Sequence, residues 1–282
     1  MNRDRWLQCS CAKIWILASH VWIEGVRQRL LAGFYLLFLV LLVSSLGLRQ
    51  WHFGSSELKF LADFGFAAIS FFGSILTVVA SVHFFFGELE HRTLLTLLAK
   101  PVSKSEFIVG KWLGVFLLMG AFCAIASVSL AGLTLARASE LFARGDSALE
   151  AVASIETKQV LLVGLFQWLK FGVLAALVLL VATYARTALF ALAVSFLLLA
   201  VCHLQFLIRD AYVGVEFVPL RWVARGCGVL LPNFQLFAVG EEVTGGNPIT
   251  AAMTLHATFY GVGYTVAILF TAAFSFRGRD VG

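Results

Sequence analysis

The runs of uncharged residues decide what this chain can fold into. Residues 30–48, 64–87, 112–136, 187–208 and 249–276 contain no Asp, Glu, Lys or Arg, and 159–185 is broken only by Lys170. Each run reaches the ~20 residues that an α-helix needs to cross a bilayer. Hydrocarbon offers no water to the backbone, so a spanning segment must satisfy its own hydrogen bonds. Continuous apolar runs do this as helices, whereas barrel strands would alternate apolar and polar residues. The reading is an all-α integral membrane protein with about six transmembrane helices, forming one transmembrane domain over 30–282. Composition agrees: 60% of the residues are hydrophobic and only 13% charged, where a soluble domain has about a quarter charged.

Lys and Arg set the orientation. With the N-terminus inside, twelve of the 21 fall on cytoplasmic segments and eight on the longer outer segments. This bias implies a multi-pass protein of the cell (inner) membrane with both termini cytoplasmic. The sequence pI of 9.1 follows from that topology and from attraction to the anionic lipid bilayer. It implies no nucleic-acid partner.

Arg27 and Arg29 precede an apolar run ending in "VSSLG", as in a secretory leader. A cleaved leader has an apolar core of about 7–15 residues, and this run is longer, so it is read as a retained first span. Within the cytoplasmic segment 1–29, Trp6, Ile14, Leu17, Ala18, Val21, Trp22 and Gly25 recur at helical spacing. Lys13, His20, Glu24 and Arg27 fall mostly between them. That pattern describes an amphipathic N-terminal helix lying in the membrane interface. The five cysteines form no recognisable disulfide framework, and Cys9 and Cys11 lack a second Cys or His pair at zinc-site spacing. They are read as reduced thiols, with no metal site. His83 and the pair Cys202-His203 lie near span ends and are read as helix-interface residues.

Most of the patterned charge sits between the second and third spans, in "GELEHRTLLTLLAKPVSKSEFIVGK", residues 87–111. Leu89, Leu94, Leu95, Leu97 and Leu98 interleave with charges, which fits a short surface helix. Pro101 ends it. Ser103 and Glu106 then form a capping box that starts the third span. A connector needs only a few residues, whereas this segment offers a leucine face and alternating charge suited to docking a protein. Between the fifth and sixth spans, 210–248 carries apolar pieces too short to cross, and is read as a re-entrant or interfacial outer segment. The outer segment 137–158 is read as a short solvent-facing helix.

The 87–111 segment resembles the signature loop of the ABC-2 type permease family, the transmembrane subunits of ATP-binding-cassette exporters. Glu88 and Glu90 match the family's Glu-x-Glu, and Thr93-Leu94 with Leu97-Leu98 its small leucine helix. Lys100-Pro101-Val102-Ser103 matches its turn, and Gly110-Lys111 its entry to the third span. The six-span count, the amphipathic N-terminal helix and "LLPNFQLF" at 230–237 are similar to the same family. The resemblance implies a coupling loop at 88–111, with Glu88, Glu90, Arg92, Leu94, Leu97, Leu98, Lys100, Pro101, Ser103 and Glu106 as the residues that engage the ATPase. It implies ABC ATPase subunits as partners, together with a second permease copy or a homologous permease.

Nothing in the sequence makes this chain its own ATPase. A P-loop built on Gly110-Lys111 would need Gly at 105 and Ser or Thr at 112, where Ser105 and Trp112 stand. Zincin, nucleophile-elbow and paired-carboxylate patterns are likewise missing from the sequence. The expected function is therefore permease rather than enzyme, without a cofactor of its own, with ATP and Mg on the partner ATPase. A competing reading keeps the fold but makes the chain a relay of ATPase work to an accessory or assembly machine. A secondary transporter is disfavoured, because the spans offer only Lys170 and a few histidines for ion coupling. Lys170 is a candidate for the translocation path, against the alternative that it snorkels to the outer interface beside Gln167 and Trp168. The 27 phenylalanines name no substrate.

The topology is tested by labelling single introduced cysteines with a membrane-impermeant thiol reagent on intact cells. Cysteines near Gly145 and Gly246 should react and cysteines near Ser103 and Gly278 should not. Reaction at Ser103 would reverse the orientation.

Overall fold

The computed structural model describes residues 3–47, 57–90, 103–143, 156–211 and 231–277, with backbone alone at 3–9, 57, 88–90, 141–142, 206–211 and 277. The described residues are helical and include no strand. In chain order the elements are α1 (Arg3–Arg27), α2 (Leu30–Gly47), α3 (Glu57–Glu90), α4 (Lys104–Ala143), α5 (Thr157–Tyr184), α6 (Ala188–Ala211), a 3-10 turn (Phe234–Phe237), the single turn α7 (Gly240–Thr244) and α8 (Ala251–Arg277). Six of them, α2 to α6 and α8, are long and apolar enough to cross a membrane, as the uncharged runs require.

Helices α3, α4 and α5 form the buried centre, whereas α2, α6 and α8 bury much less of their apolar length. α3 has 34 residues and α4 has 40. At 1.5 Å per residue these are about 51 and 60 Å long, well beyond a hydrocarbon core of about 30 Å. The charge at Arg137 does not end α4, so residues 137–143 continue the third span instead of forming a separate helix. The stretch is rich in good helix formers, and Arg137 pairs with Glu140 one turn on.

Close approach holds the centre together. A Cβ added to Gly73 of α3 would lie 2.2 Å from the Phe171 ring of α5, and one added to Gly65 would lie 2.3 Å from Leu130 of α4. Trp112, Phe116 and Trp168 stack in a ladder between α4 and α5, with ring centroids 5.0 and 4.5 Å apart. The indole N–H of Trp112 donates to the Gly172 carbonyl at 2.9 Å, and that of Trp168 to the Phe116 carbonyl at 2.8 Å. Neither indole is left with an unpaired donor inside the bundle.

α1 lies lengthwise along the first half of α4. Leu17, Ala18 and Val21 are buried, and the closest atoms to a Cβ added at Gly110 or Gly114 belong to Leu17, Val21 and the carbonyls of Ile14 and Ala18. The amphipathic pattern therefore divides differently from the sequence reading. Trp22 does not join Leu17 and Val21; with Trp15, Ile16 and Ile23 it faces outward from the bundle. α1 ends at Arg27, and two residues on Arg29, with a φ of 58°, adopts the left-handed conformation that stops a helix; α2 restarts with Gly33 N–H bonded to the Arg29 carbonyl at 2.8 Å.

At the end of the bundle that holds the starts of α3, α5 and α8, the described part of the 210–248 segment is fastened down, with 212–230 lying outside the described residues. Gln205 donates to the Leu231 carbonyl at 3.0 Å, the Asn233 N–H donates to the Tyr260 hydroxyl at 2.8 Å, and Thr244 donates to Asp63 at 2.6 Å. Phe234, Phe237 and Val243 are buried beneath these bonds.

The α1–α4 seam makes a direct prediction. A methyl added at Gly114 would lie 2.5 Å from Val21 Cβ and 3.0 Å from the Ala18 carbonyl, so Gly114→Ala should cost about 1–3 kcal/mol. The same change at Gly33, which has nothing within 4 Å, should be silent. Unfolding midpoints of the purified proteins in detergent distinguish the two.

Candidate functional site

The charged loop leaves and enters the bundle through α3 and α4, and α4 begins on the capping box that the sequence indicates. The Ser103 N–H donates to Glu106 Oε2 at 2.8 Å, and the Glu106 N–H donates to Ser103 Oγ at 3.2 Å. Two of the four unpaired amides of the helix start are thereby satisfied. The other carboxylate oxygen, Oε1, accepts from the Ser10 hydroxyl of α1 at 2.5 Å. One nearly buried carboxylate thus serves two helices, and Lys13 of α1 lends it a favourable field.

Beside this carboxylate three phenylalanines close on one another. Phe85 of α3 has ring centroids 6.0 Å from Phe107 of α4 and 5.8 Å from Phe276 of α8, and Phe107 and Phe276 stack at 6.1 Å. All three are buried. The Lys104 ammonium lies 5.8 Å from the Phe276 ring and that of Lys111 lies 5.7 Å from Phe107, within cation–π range. Helices α1, α3, α4 and α8 therefore meet at one place, directly at the root of the loop.

Of the residues that the sequence assigns to coupling, Ser103 and Glu106 lie at this root. Glu88 and Glu90 belong to the last turn of α3, where only the backbone is described. Arg92, Leu94, Leu97, Leu98, Lys100 and Pro101 lie outside the described residues. Sequence reasoning missed Ser10, which it passed over between two cysteines. The signal was available: Ser10 is seven residues before Leu17, on the stripe that faces α4. It also missed Phe85, Phe107 and Phe276, which nothing separates from the other phenylalanines in the sequence.

A family model described as ABC-2 family transporter protein matches residues 15–215. The chain belongs to the ABC-2 transporter family. The match runs from the middle of α1 through α6 and includes the loop and both helices that root it. No curated protein gives a significant match.

In this ABC-2 chain the second candidate, Lys170, does not snorkel. It stands near the middle of α5, about 20 Å from either end at 1.5 Å per residue, and its side chain is 2% exposed. The ammonium donates to the Ser70 hydroxyl of α3 at 2.5 Å and lies 5.1 Å from the Phe171 ring. Gln167 is also buried, and Trp168 is held in the aromatic ladder, so neither marks an interface. Among the described residues no carboxylate pairs with Lys170. A cation held inside a bundle with a hydroxyl and a ring for partners is a candidate functional position. Cys202 is buried, whereas His203 faces outward with its ring on Phe234, 5.4 Å between centroids.

The Lys170–Ser70 bond has a signature in stability. Ser70→Ala should cost about 1–3 kcal/mol, because it strips a buried charge of its hydrogen-bond acceptor. Lys170→Met should be neutral or stabilising, since an apolar chain replaces a desolvated ion, and combining the two should erase the cost of Ser70→Ala. Unfolding midpoints of the three variants in detergent check this; a silent Ser70→Ala would place the ammonium outside the bundle.

Proposed function

We propose that the chain is the membrane-spanning permease subunit of an ATP-binding-cassette exporter, which pairs with a second copy or a close relative and is driven by separate ATPase subunits. In this reading both termini and the 88–111 loop lie in the cytoplasm of a cell whose inner membrane holds the protein. The ATPases dock on the loop, close on ATP and push. The observation that carries the reading is the root of the loop, where Glu106 joins α1 to α4 and the Phe85, Phe107 and Phe276 cluster joins α3, α4 and α8. A push on a loop becomes a movement of helices only if the loop's two ends are anchored stiffly to several of them. Such a movement is a rigid-body transition biased by ligand binding at a distance. The burial of Lys170 inside the bundle supports a place for it on the translocation path in this reading.

The proposal separates capture from coupling. Glu88→Ala with Glu90→Ala removes charge from the docking surface, and loss of a desolvated charge costs about 2–5 kcal/mol in binding, so the cognate ATPase should no longer co-purify. Ser10→Ala with Glu106→Ala leaves residues 88–105 of the loop unchanged, so the ATPase should still co-purify. The bound ATPase should then hydrolyse ATP without the change in rate that the parent permease imposes on it in reconstituted vesicles. If both double variants co-purify and regulate hydrolysis like the parent, the loop and its root are not the coupling element.

A further inference from the structure

A groove of about 730 Å³ runs between α1, α4 and α5. Trp15 and Trp22 of α1 form one wall and Trp168 of α5 part of the other, over a floor of small α4 residues that includes Gly120 and Ala124. The lining is almost wholly apolar; its two hydroxyls belong to Ser19, which donates to the Ile16 carbonyl of its own helix at 2.8 Å, and to Ser127. Ser127 lines the groove, is 2% exposed, and its hydroxyl has no hydrogen-bond partner among the described residues. Its neighbours on α4 behave otherwise: Ser129 and Thr134 bond to the carbonyls of Ile125 and Ala131 of their own helix.

We infer that this groove holds one acyl chain of a glycerophospholipid, with the chain's ester carbonyl accepting from Ser127. Three features select that occupant. The first is length: the α4 residues that line the groove run from 117 to 128, about 16 Å at 1.5 Å per residue, which is half of a hydrocarbon core of about 30 Å and so one leaflet. The second is polarity, placed at one end. Ser127 sits level with Gly164, where an added Cβ would lie 2.1 Å from its hydroxyl oxygen. Gly164 is seven residues, about 10 Å, from the start of α5, so the hydroxyl is at the end of the groove nearer a membrane surface. The third is size: the volume lies in the range of sites that enclose a small ligand, while a helix ~10 Å across would fill it in fewer than two turns. A flexible chain is enclosed by such a groove; a spanning helix of a second copy would stand mostly outside it. Because α1 is one wall, a bound chain also wedges α1 against α4 and α5. The inference does not depend on the chain's working with an ATPase.

The test uses full-length protein in phosphatidylcholine vesicles doped with a phosphatidylcholine that carries a diazirine midway along one acyl chain. After photolysis, adducts are mapped by mass spectrometry. They should concentrate on 117–128 and 161–168, above the level on the equally apolar outward face of α8 around Phe259 and Phe270. Ala124→Trp, at an exposed floor position, should abolish the concentration; Leu161→Trp, which fills the groove from α5, serves if the first variant fails to insert. Ser127→Ala should lower the adduct yield about two- to tenfold, the worth of one hydrogen bond. Adducts spread evenly over α2, α6 and α8 and unchanged by both fillings would overturn the inference, leaving only annular lipid. So would a cysteine at Ala124 that cross-links two copies while adducts disappear, which would assign the groove to a second copy.

Discussion

The close approach of α4 to its neighbours is what the rest of the structure depends on. Inside a bilayer there is no hydrophobic gain in bringing two helices together, because lipid tails are as apolar as leucine, so packing itself must hold them. Four contacts of α4 are made the same way, with a glycine on one helix receiving a large side chain from the other. Val21 reaches Gly114, Trp168 reaches Gly120, Phe116 reaches Gly172 and Leu130 reaches Gly65. Glycine costs helix stability in water, yet in this bundle it lets ring and backbone touch and recovers dispersion that a methyl would forbid. Because α4 takes part in all four pairs, it is the common wall of the bundle, bounded by α1, α3 and α5 along its length.

That position gives the capping box a mechanical meaning. A helix of 40 residues whose first turn is tied to α1 by Glu106 and to α3 and α8 by Phe107 has few ways to respond to a force at its start other than to move as a body. Its packed flanks are interdigitated rather than smooth, and packing of that kind resists gradual deformation. The same stiffness reaches the opposite end, where Thr244 grips Asp63 and Ile249 N–H grips Gln159, so the starts of α3 and α5 are held by a segment that crosses above them.

What could be read from the sequence follows the physics of each feature. The six spans were legible because the bilayer imposes one length and one polarity on every crossing, and uncharged runs record both. Ser103 and Glu106 were legible because a capping box is local, three residues in one turn. The face of α1 was only half legible: periodicity finds a helix and an apolar side, but in a membrane both the buried side and the lipid side are apolar, so Trp22 and Val21 look alike in sequence and point apart in space. Lys170 shows the same limit. Its charge located it within a span, and Trp168 beside it read as an interface marker, because nothing local records that Phe116 on another helix stacks on that ring and Ser70 on a third accepts from the ammonium. Phe85, Phe107 and Phe276 lie far apart in the chain, and their meeting is a property of the fold.

A bundle held mainly by packing needs few polar side chains, so those it buries are informative according to where their hydrogen bonds go. Most hydroxyls are absorbed by their own helix. Ser45, Ser74, Thr77 and Thr134 each donate to a carbonyl three or four residues earlier, and such bonds cost and signal little. Among the described residues the buried hydroxyls of Ser81, Ser127 and Ser195 and the Gln167 amide oxygen find no partner; of these, Ser127 lines the groove. Ser70 is a third kind: its hydroxyl accepts from Lys170 and joins two helices through a charge. Desolvating an ammonium is expensive, and an apolar residue at 170 would pack at least as well, so stability does not account for the lysine. The bundle therefore carries a cost at the centre of α5 that its packing does not require, and the proposed place of Lys170 on a translocation path would account for it.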